Sequence, residues 1–177
     1  MEKRNYYFLG IGGIGMSALA RYFLHEGCRV AGYDRTPTRL TDALQEEGAE
    51  IHFEEGVELI PEDMRDPATT VVVYTPAVPT DHAEYRYFVE QGFRFEKRSQ
   101  MLGHLSVGHY VMAVAGTHGK TTTSTLVAWL NEVMTGDGSA FLGGLSKSFD
   151  SNLVLADQSL RLAVEADEFD QIGRAHV

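Results

Sequence analysis

The chain has 177 residues, and its 15 Lys and Arg against 25 Asp and Glu give a net charge of −10 with His neutral. With 44% hydrophobic and 23% charged residues, 18 Gly and 5 Pro, it has the composition of a soluble globular protein, which excludes collagen, coiled coil and disordered chain. The single Cys28 excludes an internal disulfide and fits a reducing, cytoplasmic compartment, while the acidic balance argues against nucleic acid as a partner.

Residues 1–5 run directly into a strand-like segment at 6–9, which leaves no room for a signal peptide. The apolar runs, such as 71–73 and 110–115, are far too short to span a bilayer, so no membrane insertion is expected. Strand 6–9 is followed by a helix over 16–26 with Leu19, Tyr22 and Phe23 on one face, a strand over 29–33 and a short helix over 41–47. A buried strand is expected at 70–74, a helix at 81–91 that turns Tyr85, Phe88 and Val89 toward the sheet, and a further strand at 93–95. Around residues 105–108 the pattern restarts, with a strand over 110–115 and a helix from Lys120 to about Met134 in which Leu126, Trp129 and Val133 read as core. Short strands alternating with helices indicate βαβ units and a parallel sheet. The expected fold is therefore α/β: a Rossmann-like domain over 1–107, then the start of a second α/β domain over 108–170 that is too short to be complete. Residues 171–177 have no periodicity, and 172–177 match a sequencing-library adapter read in frame, so they are set aside as a non-native tail.

Two glycine turns carry the chemistry. Gly10-Ile11-Gly12-Gly13-Ile14-Gly15 fits G-x-G-x-x-G between a strand and a helix, where small residues let a diphosphate reach backbone amides at the helix N-terminus. Asp34, at the end of the second strand, stands where an acid meets a ribose hydroxyl. The spacing alone leaves NAD, FAD and a UDP-sugar open, beside the plainer reading of a tight helix–sheet crossing.

The second turn is Gly116-Thr117-His118-Gly119-Lys120-Thr121-Thr122, directly after a strand. Its backbone suits β- and γ-phosphates, Lys120 supplies a point charge on them, and Thr121 Oγ is a ligand for Mg²⁺. The full P-loop pattern G-x-x-x-x-G-K-[ST] is not met, because Val114 occupies the place of its first glycine. His118 either touches phosphate or is a bystander. Glu165 closes a strand-like segment at 160–164, where a carboxylate reaches a P-loop cation; alternatively Glu165, Asp167, Glu168 and Asp170 form a solvated acidic turn.

The shortened loop, with Ala113-Val114-Ala115 before it, resembles the ATP loop of the Mur ligases, ATP-dependent amino-acid ligases of peptidoglycan synthesis. Residues 8–17, Tyr33-Asp34, residues 73–78, residues 98–102, Gly143-Gly144 and residues 164–168 extend the resemblance over the chain up to Asp170. Within the family they resemble members that join L-alanine to UDP-N-acetylmuramate. That resemblance implies that Gly12, Gly13, Ile14 and Gly15 hold the sugar-nucleotide diphosphate, that Asp34 lies near the uridine, and that Thr75 and Pro76 line the same crevice. It implies ATP and Mg²⁺ as cofactors, with Lys120 on the phosphates and Thr121 and Glu165 on the metal. The implied reaction is attack of the lactyl carboxylate on γ-phosphate, then displacement of phosphate from the acyl phosphate by the amine of alanine. A second reading is the ligase that recycles a ready-made peptide onto the same sugar. From other classes come a nicotinamide dehydrogenase, which the P-loop disfavours, and a binding-only module. The fragment by itself is expected to be inactive.

Overall fold

In the first strand, β1 (Asn5–Leu9), Tyr6, Tyr7, Phe8 and Leu9 are all buried, so the segment is apolar without alternation, as a strand covered on both faces must be. On one face Tyr6 stacks on Phe23 of α1 (Ile14–His25) with ring centroids 3.6 Å apart. On the other, Tyr7 meets Phe88 of α3 (Ala83–Glu90) at 4.8 Å. The computed structural model describes residues 4–156 and 159–165, and these fall into two compact units divided between Arg98 and Ser99.

The first unit is a five-stranded parallel sheet in the order β3-β2-β1-β4-β5, adding β2 (Arg29–Tyr33), β3 (Glu50–His52), β4 (Thr70–Tyr74) and β5 (Arg94–Lys97). Leu9 lies opposite both Tyr33 and Tyr74, so the three central strands end level. The chain builds the sheet outward from β1 in one direction and then from β4 in the other. Such a reversal opens a crevice beyond the carboxyl ends of the strands.

Several boundaries differ from the sequence expectation for identifiable reasons. Helix α2 (Arg39–Glu46) begins earlier because Thr38 and Thr41 form a reciprocal capping box. Val89, expected against the sheet, is 52% exposed, and fully buried Glu84 takes an inward position instead. Positions 84, 85 and 88 form the inward stripe of α3, which turns position 89 outward.

The second unit holds a four-stranded mixed sheet, β6-β9-β7-β8, from β6 (Tyr110–Val114), β7 (Ser139–Ser146), β8 (Ser151–Val154) and β9 (Arg161–Glu165). Strand β9 runs parallel to β6 and β7, whereas β8 is antiparallel to β7. Helix α4 (Arg98–Ser106) starts on the last residue of the first unit, and α5 (Lys120–Thr135) packs on the second sheet. Trp129 is not core: it is 46% exposed, Leu126 54% and Val133 62%. Ser124 and Ala128 are the fully buried residues of α5, with Val127 packed beside them, and this face turns Leu126, Trp129 and Val133 away from the sheet. Among the described residues no helix is long and apolar enough to cross a membrane.

Candidate functional site

The first turn is built around the end of β1. The amides of Gly10 and Ile11 donate to the Tyr33 carbonyl at 2.8 and 3.0 Å, folding the chain over β2. Gly10 has φ +87°, and a Cβ on it would stand 2.6 Å from Thr75 Cγ2, so no other residue fits there without strain. Gly12 donates its N–H to Asp34 Oδ2 at 2.7 Å, and Thr36 donates to Asp34 Oδ1 at 3.1 Å. A Cβ on Gly12 would meet Asp34 Oδ2 and Thr41 Cγ2, each at 2.9 Å. Asp34 thus holds the turn itself in place.

Beyond this turn lies a crevice of about 560 Å³ at the carboxyl ends of β1, β2 and β4. Gly13, Ile14, Gly15, Asp34 and Thr75 line it, whereas Gly12 and Pro76 do not. The N-cap of α1, Gly13, contributes no side-chain cap, and the first turn contains no acid, so the helix offers first-turn amides and a partial positive charge to an anion. Arg98 also lines the crevice, and it lies so close over α1 that a Cβ on Gly15 would come within 2.9 Å of its Cδ and Nη1. Sequence reading gave Arg98 no role. Its only signal was a place in the motif at 98–102.

The opposing rim joins the loop after β3 to the start of α3. Glu55 Oε1 accepts from the Ala83 amide at 2.6 Å, and Glu84 Oε1 from the Gly56 amide at 3.3 Å. Beneath them Tyr7 Oη lies 2.6 Å from Glu84 Oε2 and 2.7 Å from His52 Nε2. Burial raises the Glu84 carboxyl above its ordinary value, the bonds from Tyr7 and Gly56 opposing it, and pushes the Tyr7 phenol well up. Burial also lowers the His52 imidazole. His82 completes the rim, and neither of its ring nitrogens has a hydrogen-bond partner.

On the second unit, Gly116 (φ +145°) and Gly119 (φ +78°) shape the turn that opens α5, again with no side-chain cap and no acid in the first turn. Lys120 Nζ folds back to donate to the Gly116 carbonyl at 2.7 Å. Glu165 ends β9, and its Oε1 accepts from the Gly143 amide at 2.7 Å and lies 3.0 Å from Ser124 Oγ, one turn beyond Thr121 on α5. Thr121 is half-buried; Thr117, His118 and Thr122 are exposed. Asp167, Glu168, Asp170 and the tail at 171–177 lie outside the described residues.

Residues 5–110 match the Mur ligase family, catalytic domain. The chain belongs to the Mur ligase family. Among its relatives, the UDP-N-acetylmuramate–L-alanine ligase of Phocaeicola vulgatus is 58% identical over 95% of the chain, and that of Flavobacterium johnsoniae 47% identical over 96%. This Mur ligase chain spans about 37% of the length of either relative. Among solved structures, a Neisseria UDP-N-acetylmuramate:L-alanyl-γ-D-glutamyl-meso-diaminopimelate ligase superposes with a TM-score of 0.83 at 25% identity, covering 94% of the chain and 53% of that structure. The UDP-N-acetylmuramate–alanine ligase of Thermotoga maritima gives 0.80 at 27% identity, covering 92% and 37%.

Proposed function

We propose that the chain is the amino-terminal part of a cytoplasmic ligase that uses ATP to join L-alanine to the lactyl carboxylate of UDP-N-acetylmuramate in peptidoglycan synthesis. One observation carries the reading: two uncapped helix N-termini, each behind a glycine turn at the end of a parallel strand, occur in one chain. One such site serves a diphosphate and the other a triphosphate. The choice of alanine over a ready-made peptide is supported by relatives of 58% and 47% identity that are alanine ligases, whereas among the solved structures the two activities lie level at 27% and 25%.

On this reading residues 1–107 bind the UDP-sugar, and residues 108–170 begin a P-loop ATPase domain that the longer relatives complete. Gly13, Ile14 and Gly15, at the start of α1, would meet the diphosphate, and Thr75, just past β4, lines the same crevice. Gly12 and Asp34 act one step back, holding the turn in the shape the diphosphate needs.

The second turn fits ATP and Mg²⁺. Its uncapped helix start suits phosphate, Lys120 has its ammonium folded onto its own loop, and Thr121 and Glu165 supply hard oxygen donors of the kind magnesium takes alongside phosphates. Held by Thr121 and Glu165, a magnesium ion would supply positive charge against the repulsion between phosphate and carboxylate. Gly116, Thr117, His118, Gly119 and Thr122 form the walls of the loop. Lys120 would hold the transferring phosphate, and Glu165, positioned by Gly143 and Ser124, would ligate the cation. Catalysis is then positioning plus electrostatics, without covalent attachment to the protein. Steady-state assay of the full-length protein tests this. ADP release should require both UDP-N-acetylmuramate and L-alanine, and the 177-residue chain alone should release none; release driven by a tripeptide but not by alanine would contradict the reading.

A further inference from the structure

We propose that His82 is the specificity-determining residue of the crevice, the group that hydrogen-bonds the heterocyclic base of the bound nucleotide. The proposal rests on the UDP-sugar reading and extends it. The His82 side chain is 5% exposed, it lines the crevice, and neither Nδ1 nor Nε2 meets a hydrogen-bond partner. The nearest carboxylate oxygen, Glu55 Oε2, is 3.9 Å away, beyond hydrogen-bond reach. Glu55 is itself fixed by its other oxygen on the Ala83 amide. The Tyr33 ring lies 4.4 Å from the imidazole, centroid to centroid, tilted by 48°.

A buried imidazole with both nitrogens unsatisfied is a standing cost to the fold, and native proteins retain such groups where a ligand or a mechanism uses them. The anionic end of the ligand has its own partners, the first turn of α1 and Arg98. That leaves the base for the wall formed by Tyr33 and His82. A neutral imidazole has one donor and one acceptor, and the imide edge of uracil alternates carbonyl, N–H and carbonyl, so either tautomer finds a partner there. The Tyr33 ring adds an apolar surface for the flat heterocycle.

Calorimetric titration of the 177-residue chain with UDP and with inorganic pyrophosphate, together with melting curves in the absence of ligand, tests the assignment. His82→Leu should weaken UDP binding about tenfold, the loss of one net hydrogen bond, and leave pyrophosphate affinity unchanged. His82→Gln, which keeps a donor and an acceptor, should recover most of the loss. The ligand-free melting temperature of His82→Leu should equal or exceed that of the wild type, because an unsatisfied polar group has been removed. UDP binding unchanged in His82→Leu would overturn the proposal. So would an equal loss for pyrophosphate, or a lowered ligand-free melting temperature that accompanies the loss and that Gln does not restore. A wild-type chain that binds pyrophosphate but not UDP would overturn the UDP-sugar reading itself, and this inference with it.

Discussion

Replacing Glu84 with Gln should make the first unit more stable at alkaline pH, and the sign follows from counting protons. Two short hydrogen bonds converge on Tyr7 Oη, one shared with Glu84 Oε2 and one with His52 Nε2. The hydroxyl donates to Glu84 Oε2. Because His52 Nδ1 already faces the Glu54 carbonyl at 2.8 Å and must donate to it, a proton on Nε2 would make a buried imidazolium. Burial opposes that by lowering His52, and it favours a neutral Glu84 by raising it. Because the folded carboxyl value is raised above the ordinary 4.5, the unfolded chain gives up the carboxyl proton first, so Glu84's contribution is complete below 4.5 and is lost as pH rises through the folded value. The contribution of His52 has the opposite slope: it grows toward the ordinary value of 6.5 and is constant above it, leaving Glu84 as the member of the pair still able to lower stability. An amide N–H in place of the acid O–H does not titrate. At pH 5 the variant should match the wild type to within about 1 kcal/mol, and at pH 8 it should exceed it by about 1–3 kcal/mol, the cost of one buried bond left unmade. Urea unfolding followed by the near-ultraviolet tyrosine signal at pH 5, 6.5 and 8 measures this. A variant less stable than wild type at pH 8, or a difference that does not change with pH, would contradict a raised Glu84 carboxyl.

Asp34→Ala should lower the stability of the first unit by about 2 kcal/mol and weaken UDP-sugar binding at the same time, since both of its bonds hold the backbone of the turn; thermal melting and calorimetry on one preparation would show the two losses together. Arg98→Ala should reduce UDP affinity and flatten its dependence on salt concentration, as expected for a cation that meets an anionic ligand, which calorimetry at two salt concentrations would show. In the full-length protein Lys120→Ala should abolish ligation, at a cost of about 3 kcal/mol or more in the transition state, and leave UDP-N-acetylmuramate binding intact, which steady-state kinetics and calorimetry would separate.

The glycine turns were legible because their residues have few alternatives: Gly10 is fixed both by a positive φ and by Thr75, and Gly12 by Asp34. The parallel strands were legible because covering both faces leaves an uninterrupted apolar run such as Val71-Val72-Val73. Periodicity failed on α5. Leu126, Trp129 and Val133 share a face, but spacing does not say which face meets a sheet, and the inward one is marked by the small residues Ser124 and Ala128. Glu84 was missed because a buried carboxylate looks like any surface acid until Tyr7 and Gly56, distant in sequence, are brought to it. The three-residue β3 is too short to show a period, and Arg98 became part of the crevice through the packing of its side chain over Gly15.

The central claim is that the crevice beyond β1 takes a UDP-sugar, and the most direct measurement is a calorimetric titration of the chain with UDP-N-acetylmuramate and, separately, with NADH. The account predicts saturable binding of UDP-N-acetylmuramate with one site per chain, competition by UDP, and no heat of binding with NADH. Saturable binding of NADH, with none for UDP-N-acetylmuramate, would contradict it.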